Sequence, residues 1–121
     1  MNSSLDPALL IRWISSDVSK DLTQLPTQNL FNLAMNAIQK LSRGEVRGTR
    51  LRFHSEIGDL SQCFKLYFDE SRDVSPRYRI VFKYIPNPAR PLILMIIAVG
   101  KRENYEVYLA AVLRLKESSP G

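Results

Sequence analysis

The sequence has very little of the residue types that build most metal and redox sites. Its 121 residues include one cysteine, Cys63, and one histidine, His54. An internal disulfide and a zinc site built from several cysteines or histidines are therefore excluded, and we expect neither a metal nor a cofactor. Cys63 opens an alternating segment and is more typical of a small buried strand residue than of a nucleophile. His54 is expected in a loop.

Long apolar runs and phosphate-binding glycine patterns are also missing. The longest apolar run, Leu92–Val99, is far shorter than the roughly 20 residues that a membrane-spanning helix needs. The first residues show neither the basic nor the apolar part of a signal peptide. Gly44 and Gly48 lack the spacing and the flanking strand of a phosphate loop. We therefore expect a cytoplasmic protein with no membrane partner and no small-molecule ligand.

Charge of both signs is present, but it is unevenly distributed. Hydrophobic residues make up 45% of the sequence and charged residues 24%, which predicts one globular domain over 1–121, with flexible ends at 1–5 and 116–121. The net charge is +5, of which residues 1–60 contribute +1 and residues 61–121 contribute +4. The basic second half is compatible with a polyanionic partner such as RNA or DNA. On charge alone, an ordinary surplus of basic residues is the more common explanation.

Two stretches have the apolar spacing of amphipathic helices. Asp6 and Pro7 form a helix-start signal, and the apolar residues that follow predict a helix over about 7–22. Thr27 starts a second helix, which Gly44 and Gly48 close. The apolar stripe of this second helix is Leu30, Leu33, Ala34, Ala37, Ile38 and Leu41. Two such helices with a short Pro-containing link predict a helical hairpin.

From residue 49 the apolar period changes to two, which predicts strands. Segment 63–68 places alternate aromatic and aliphatic residues on one face, and segment 77–85 repeats the pattern. Leu92–Val99 is apolar on both faces, as in a central strand, and residues from Glu103 to about Leu115 predict a closing helix. The predicted fold class is α+β, with an N-terminal helical hairpin packed on a small antiparallel sheet and a C-terminal helix.

The polar faces of the predicted strands carry basic residues and one aromatic ring. The residues that alternation places there are Lys65, Tyr67, Arg77, Arg79 and Lys83. Arg102, just past the central strand, can join them. Cations for phosphate and an aromatic ring for base stacking are what backbone-directed RNA binding requires. A solvated sheet face is the alternative, but such a face usually mixes charges, and these strand cores hold no Asp or Glu.

Three blocks of the sequence carry a family resemblance. They are LSQCFK at 60–65, YRIVF at 78–82 and IAVGKRENYEVY at 97–108, the last followed by Ala111, Arg114 and Leu115. In this order they resemble the RelE/ParE superfamily in its RelE-like form, over about residues 57–115. The resemblance implies a RelE-like fold and a toxin of a type II toxin–antitoxin system. RelE-like members are mRNA interferases: they enter the ribosomal A site and cleave mRNA by attack of a 2′-OH on the adjacent phosphate, which inhibits translation.

The resemblance also implies roles for individual residues. Lys65 matches a catalytic strand lysine, and Arg79 and Arg102 match arginines that hold and stabilise the phosphate. Tyr108 matches a tyrosine that positions or activates the substrate, although packing of a helix residue on the sheet explains it equally well. The residues predicted to bind RNA around them are Tyr67, Arg77, Lys83 and Lys101. The implied partners are the ribosome with its mRNA and a cognate antitoxin protein that covers the basic face or displaces the last helix.

Two departures from the family pattern leave alternatives open. Where RelE-like members have a second lysine two residues after the first, this chain has Tyr67. The family's first strand is not evident in residues 1–5, so we expect a sheet that is one strand smaller, with an open edge. The alternatives are a ParE-like toxin that inhibits DNA gyrase and a non-catalytic member of the superfamily that binds RNA or a partner.

Overall fold

The computed structural model describes residues 8–52 and 57–118, and its centre is a five-stranded mixed sheet with helices on both faces. The strands are β1 (Leu10–Trp13), β2 (Thr49–Arg50), β3 (Phe64–Phe68), β4 (Tyr78–Ile85) and β5 (Ile93–Lys101). The helices are α1 (Asp17–Thr23), α2 (Gln28–Ser42) and α3 (Glu106–Ser118), with a short 3₁₀ turn at Glu103–Tyr105 before α3. The strand order is β1-β5-β4-β3-β2, in which β1 is parallel to β5 and all other neighbours are antiparallel. The α+β class is confirmed.

The first predicted helix is wrong in its first half. Residues 10–13 form a strand that pairs with β5, and α1 begins only at Asp17. The apolar residues of this stretch fit both periods, and pairing with the apolar strand β5 decides between them. Ile11 and Trp13 pack against the main core, while the alternate residues are exposed, as period two requires. The expectation of a sheet one strand smaller than the family pattern is therefore also wrong.

Helix α2 forms where the sequence predicts it. The Thr27 side chain accepts a hydrogen bond from the Leu30 N–H at 3.1 Å and so caps the start of the helix. After its end, Gly44 has a φ of +74°, a left-handed conformation that favours glycine. Ala34 and Ile38, on the predicted stripe, are fully buried against the sheet. Helices α1 and α2 together cover one face of the sheet.

Strand β5 is apolar on both faces because it separates two cores. Leu94 and Ile96 belong to the core under α1 and α2, whereas Ile97 and Ala98 belong to a second core under α3. The register between β4 and β5 shifts at Val81 and Phe82, because a β-bulge gives β5 an extra residue there. The bulge lets two successive residues of β5, Ile97 and Ala98, face α3. The prediction of a strand covered on both faces is confirmed.

Helix α3 is tied to α1 and β5 by the partly buried ion pair of Arg114 and Asp21. The Arg114 guanidinium donates to the Asp21 carboxylate at 2.6 and 2.9 Å and to the Ile97 carbonyl oxygen at 2.9 Å. The same carboxylate accepts the Val99 N–H at 3.0 Å. Strand β1 ends before it reaches this part of β5, so the ion pair satisfies backbone groups that would otherwise lack partners.

Helix α3 begins and ends about three residues later than predicted, at Glu106 and Ser118 rather than at Glu103 and near Leu115, because residues 103–105 form the 3₁₀ turn. The predicted loop position of His54 lies outside the described residues, as do residues 1–7 and 119–121. Among the helices that the structure describes, each is too short or too polar to span a bilayer.

Candidate nucleic-acid interface

Strand β3 places Lys65 and Tyr67 on the face of the sheet that carries α3. Lys65 lies opposite Thr49 on β2 and Val81 on β4, and Tyr67 lies opposite Arg79. Val81 is fully buried in the core under α3, which fixes the side to which these residues point. The predicted alternation is confirmed. The face is only partly open to solvent, because α3 and the loop before β3 pack on it.

Tyr67 and Arg79 form a stacked pair. The guanidinium carbon of Arg79 lies 3.9 Å from the centre of the Tyr67 ring, and the Lys65 Nζ lies 5.3 Å from the same centre, both within cation–π range. Arg79 is only 7% exposed, and its Nη1 donates to the carbonyl oxygens of Pro76 and Tyr78 at 2.7 and 3.0 Å. Its buried Nε has no hydrogen-bond partner among the described residues. Arg79 therefore lies behind Tyr67, whose ring is 47% exposed.

The turn after β5 supplies Arg102. Its N–H donates to the Arg77 carbonyl oxygen at 2.9 Å, and its own carbonyl oxygen accepts the Tyr105 N–H at 2.9 Å. Asn104 and Tyr105 have φ values of 53° and 59°, a left-handed conformation that is uncommon for residues other than glycine. The chain thus reverses within a few residues, and Arg102 and Tyr105 lie at the same edge of the site.

Helix α3 supplies Tyr108. The side chains of Val107 and Ala111 anchor the helix in the second core, and Tyr108 is 7% exposed between them. The loop before β3 comes close to α3 at Gly58, where φ is +128° and an added Cβ would lie 3.1 Å from the Val112 side chain. Glycine permits both the backbone conformation and the approach. Tyr108 therefore packs on the sheet in the second core and also lines the site.

These elements surround a concavity of about 370 Å³. Its described lining residues are Thr49, Arg50, Leu51, Arg52, Ile57, Gly58, Leu60, Lys65, Arg102, Tyr105 and Tyr108. Four of these described residues are cations and none is Asp or Glu, so the concavity attracts anions. The cations can stabilise charge that develops on a phosphate, and a tyrosine hydroxyl can move a proton. This is chemistry that suits a phosphodiester.

Three lining residues with a charged or phenolic side chain are not among the residues predicted from the sequence: Arg50, Arg52 and Tyr105. The two arginines lie in the half of the chain whose net charge is only +1. Strand β2 has two residues, too few for a periodic signal of its own. Their alternation with Thr49 and Leu51, where the apolar period changes to two, is the signal that could have revealed them.

The four residues predicted to bind RNA and the predicted catalytic Arg79 are not among the described lining residues of this concavity. Tyr67 and Arg79 lie on the same face of the sheet, beside it. The Arg77 Nε lies 2.8 Å from the Asp69 Oδ2, and the hydrogen bonds of this arginine hold the pKa of the Asp69 carboxyl well below its usual value. Lys101 pairs with Tyr78, which packs in the core of α1 and α2, so Lys101 is on the other face. Lys83 lies in the second half of β4, farther along the strand. Their roles in RNA binding stay predictions.

Cys63 is fully buried in the core under α3. Burial raises the pKa of its thiol to about 11, so it is protonated at neutral pH and has little nucleophilic character. This agrees with the expectation of a small buried residue. Among the described residues, no group of three or more His, Cys, Asp and Glu is placed to hold a metal ion.

No protein-family model and no curated protein matches the sequence. Solved structures do match. A variant of E. coli toxin RelE in the free state, with two arginines replaced by alanine, aligns with a TM-score of 0.60 and 20% identity over 89% of this chain and 98% of that chain. The chain has the RelE-like toxin fold. The RelBE2 toxin–antitoxin complex of Mycobacterium tuberculosis aligns with a TM-score of 0.53 and 21% identity, over 79% of this chain and 93% of the matched chain.

The RelE-like fold that the three sequence blocks imply is therefore confirmed. Relatives at this level of identity share a fold, and a shared fold can serve different functions. The function of this chain therefore depends on the residues that line the concavity.

Proposed function

We propose that the protein is a RelE-like toxin that enters the ribosomal A site and cleaves mRNA as an endoribonuclease. The observation that carries the proposal is the concavity itself, which joins the implied catalytic residues Lys65, Arg102 and Tyr108 with two further arginines and no described acid. Such a lining is suited to an RNA phosphodiester, whose charge increases in the transition state.

In the proposed reaction the 2′-oxygen of one nucleotide attacks the adjacent phosphorus. The new bond joins the 2′-oxygen to phosphorus, and the bond from phosphorus to the 5′-oxygen breaks, which leaves a 2′,3′-cyclic phosphate and a 5′-hydroxyl. Lys65 and Arg102 stabilise the negative charge of the intermediate phosphorane. The 2′-OH must lose a proton and the 5′-oxygen must gain one. We assign the proton that the 5′-oxygen gains to the Tyr108 hydroxyl, and water accepts the proton that the 2′-OH loses. The ribosome supplies the alignment of the mRNA.

Tyr67 stands where the family resemblance implies a second lysine, and we assign it a different task. Its ring lies within cation–π distance of both Arg79 and Lys65 and is 47% exposed. An exposed ring fixed in this way can stack on a base of the bound mRNA. Arg50 and Arg52 supply positive charge at the concavity that the missing lysine would otherwise provide. Arg79 acts from behind Tyr67, through its charge and by fixing the ring.

We further propose a cytoplasmic protein with a cognate antitoxin as its partner. One of the structural neighbours is a toxin–antitoxin complex, which supports this proposal. Helix α3 carries Tyr108 on its inner side, and its outer side exposes Leu109 and Leu113 by 47% and 58%. An antitoxin that covers the concavity or displaces α3 would inactivate the site, since displacement removes Tyr108 from it.

Controlled expression in a bacterial host tests the proposed activity. Primer extension on a reporter mRNA is compared for the wild type, Arg102→Ala and Arg12→Ala, a matched control because Arg12 lies on β1 at the opposite edge of the sheet from β2. We expect cuts within translated codons that vanish in Arg102→Ala and persist in Arg12→Ala. Growth arrest with intact mRNA and altered DNA topology would instead support the ParE-like alternative. Absence of any arrest would support a non-catalytic member.

A further inference from the structure

A second concavity, of about 610 Å³, lies on the opposite face of the sheet from the candidate site, because its lining residues Leu41, Phe64 and Tyr84 pack against the core under α1 and α2. Gly48 lines it, and the next residue, Thr49, lines the first concavity. Both concavities therefore reach the edge of the sheet that β2 forms, one on each face. Arg50 connects them, because it lines the first concavity while its guanidinium carbon lies 5.3 Å from the ring centre of Phe64, which lines the second.

The second concavity combines cations with aromatic rings. Arg43, Arg47, Phe64 and Tyr84 are among its described lining residues, none of which is Asp or Glu. Arg43 is engaged with Glu45, whose Oε2 lies 2.6 Å from the arginine Nε. Arg47 is exposed and makes no ion pair with any residue that the structure describes. The charge of Arg47 is thus available to a bound anion.

Arg47 and Tyr84 line the same concavity. Burial raises the pKa of Tyr84, and the positive charge of Arg47 acts in the opposite direction. A guanidinium and a half-buried phenol that line one concavity can together donate several hydrogen bonds to a bound phosphate group.

The arginines around β2 form a row along the chain. Residues 43–52 hold four arginines and a single acid, Glu45. Since Glu45 is paired with Arg43, the row that remains positive is Arg47, Arg50 and Arg52. It follows the chain from the second concavity to the first, and both residues of β2 on this path are exposed.

We propose that this row is a second RNA subsite, which holds the strand that continues beyond the cleaved bond. Arg47 and Arg50 bind consecutive phosphodiester groups, and Tyr84 donates a hydrogen bond to the group nearest Arg47. The Arg50 guanidinium, held against Phe64, offers its outer face to a base, because guanidinium planes stack on unpaired bases. The inference rests on the proposed function, since the strand is taken to enter the first concavity as substrate.

Fluorescence anisotropy with single-stranded RNA tests the subsite without requiring cleavage. The probes are oligonucleotides of roughly 4 and roughly 10 nucleotides, with 2′-deoxyribose throughout the segment expected in the first concavity. Binding is measured against salt concentration for the wild type, Arg47→Gln, Arg50→Gln and the charge-matched control Arg12→Gln. Thermal unfolding checks that the variants fold alike.

For the wild type and Arg12→Gln we expect tighter binding of the longer RNA. Arg47→Gln and Arg50→Gln should lose this gain, and each should reduce the slope of log affinity against log salt by about 0.7, the value for one phosphate contact on a single strand. Slopes and length dependence equal to those of Arg12→Gln would overturn the proposal. A loss seen with duplex DNA but not with RNA would overturn it as well.

The two proposals fail in distinguishable ways. If ribosomal cleavage is absent but Arg47→Gln and Arg50→Gln still lose the gain from RNA length, the subsite stands and the proposed reaction is wrong. If Arg102→Ala abolishes cleavage while Arg47→Gln and Arg50→Gln bind like the control, the reaction stands and the subsite is overturned.

Discussion

Arg114 holds α3 over the site, and its removal should measurably destabilise the protein. The side chains of Arg114 and Asp21 are only 13% and 14% exposed, and their two contacts are 2.6 and 2.9 Å long. Removal of one partner from a buried ion pair costs about 3–5 kcal/mol, because the remaining charge is uncompensated. Asp21 keeps its hydrogen bond from the Val99 N–H, so we expect the lower value, about 3 kcal/mol, for Arg114→Met. For a chain of this length that corresponds to a fall in Tm of roughly 10 °C.

The double variant Asp21→Asn/Arg114→Met leaves no buried charge. It should lose less stability than the sum of the two single variants, with a coupling energy of about 1–3 kcal/mol. Urea unfolding followed by circular dichroism measures all three variants. Lys20→Met is the control, because Lys20 pairs with Asp17 at 3.9 Å and is 70% exposed, and such a pair contributes less than about 1 kcal/mol. If Arg114→Met lowers the free energy of unfolding no more than Lys20→Met does, the Arg114–Asp21 ion pair does not stabilise the fold as expected.

Three further predictions concern the backbone, the buried thiol and the acid limit of stability. Gly48→Ala should cost about 1–3 kcal/mol in urea unfolding, because its Cβ would lie 2.6 Å from both the Lys65 carbonyl oxygen and the Phe82 ring; a neutral effect would contradict this packing. Cys63 should react with a thiol reagent only as fast as the protein unfolds, since it is fully buried; rapid stoichiometric labelling of the native protein would show otherwise. Arg77 depresses the pKa of Asp69 in the folded state, so the stabilisation is present above the unfolded value of about 3.9 and is lost as the pH falls through the folded pKa. Asp69→Asn should therefore weaken the dependence of Tm on pH in the acid range, and identical profiles for the two proteins would contradict the assignment.

The elements that the sequence predicts well are those whose pattern is set within the element. Helix α2 has a capping threonine, a regular stripe and a terminating glycine, and β4 alternates along its whole length. The sequence predicts a helix where strand β1 forms, because its four residues fit the helical and the strand period alike. Their structure is decided by pairing with β5, which is distant in sequence. The bulge in β5 is likewise invisible locally, since it depends on the register against β4.

In the candidate site, too, the sequence predicts what is set within one strand, and it does not predict what depends on contacts between separate strands. Lys65, Tyr67 and Arg79 share a face because strand alternation places them there, and the sequence predicts this. Alternation with Thr49 and Leu51 marks Arg50 and Arg52 as strand residues, but it does not place them at the site, because that depends on how a two-residue strand pairs with β3. Nor could the sequence show that Arg79 is covered by Tyr67, since that follows from the packing of two neighbouring strands.

We propose that this concavity promotes attack of a 2′-OH on the adjacent phosphate of an mRNA in the ribosomal A site. A reconstituted translation complex tests this directly when it is programmed with mRNA that has either ribose or a single 2′-deoxyribose on the 5′ side of the scissile phosphate. We expect the wild type to cleave only the ribose mRNA and to leave a 2′,3′-cyclic phosphate, and we expect Arg102→Ala to cleave neither. Cleavage of the 2′-deoxy mRNA, or unchanged cleavage by Arg102→Ala, would show that the proposed reaction is wrong.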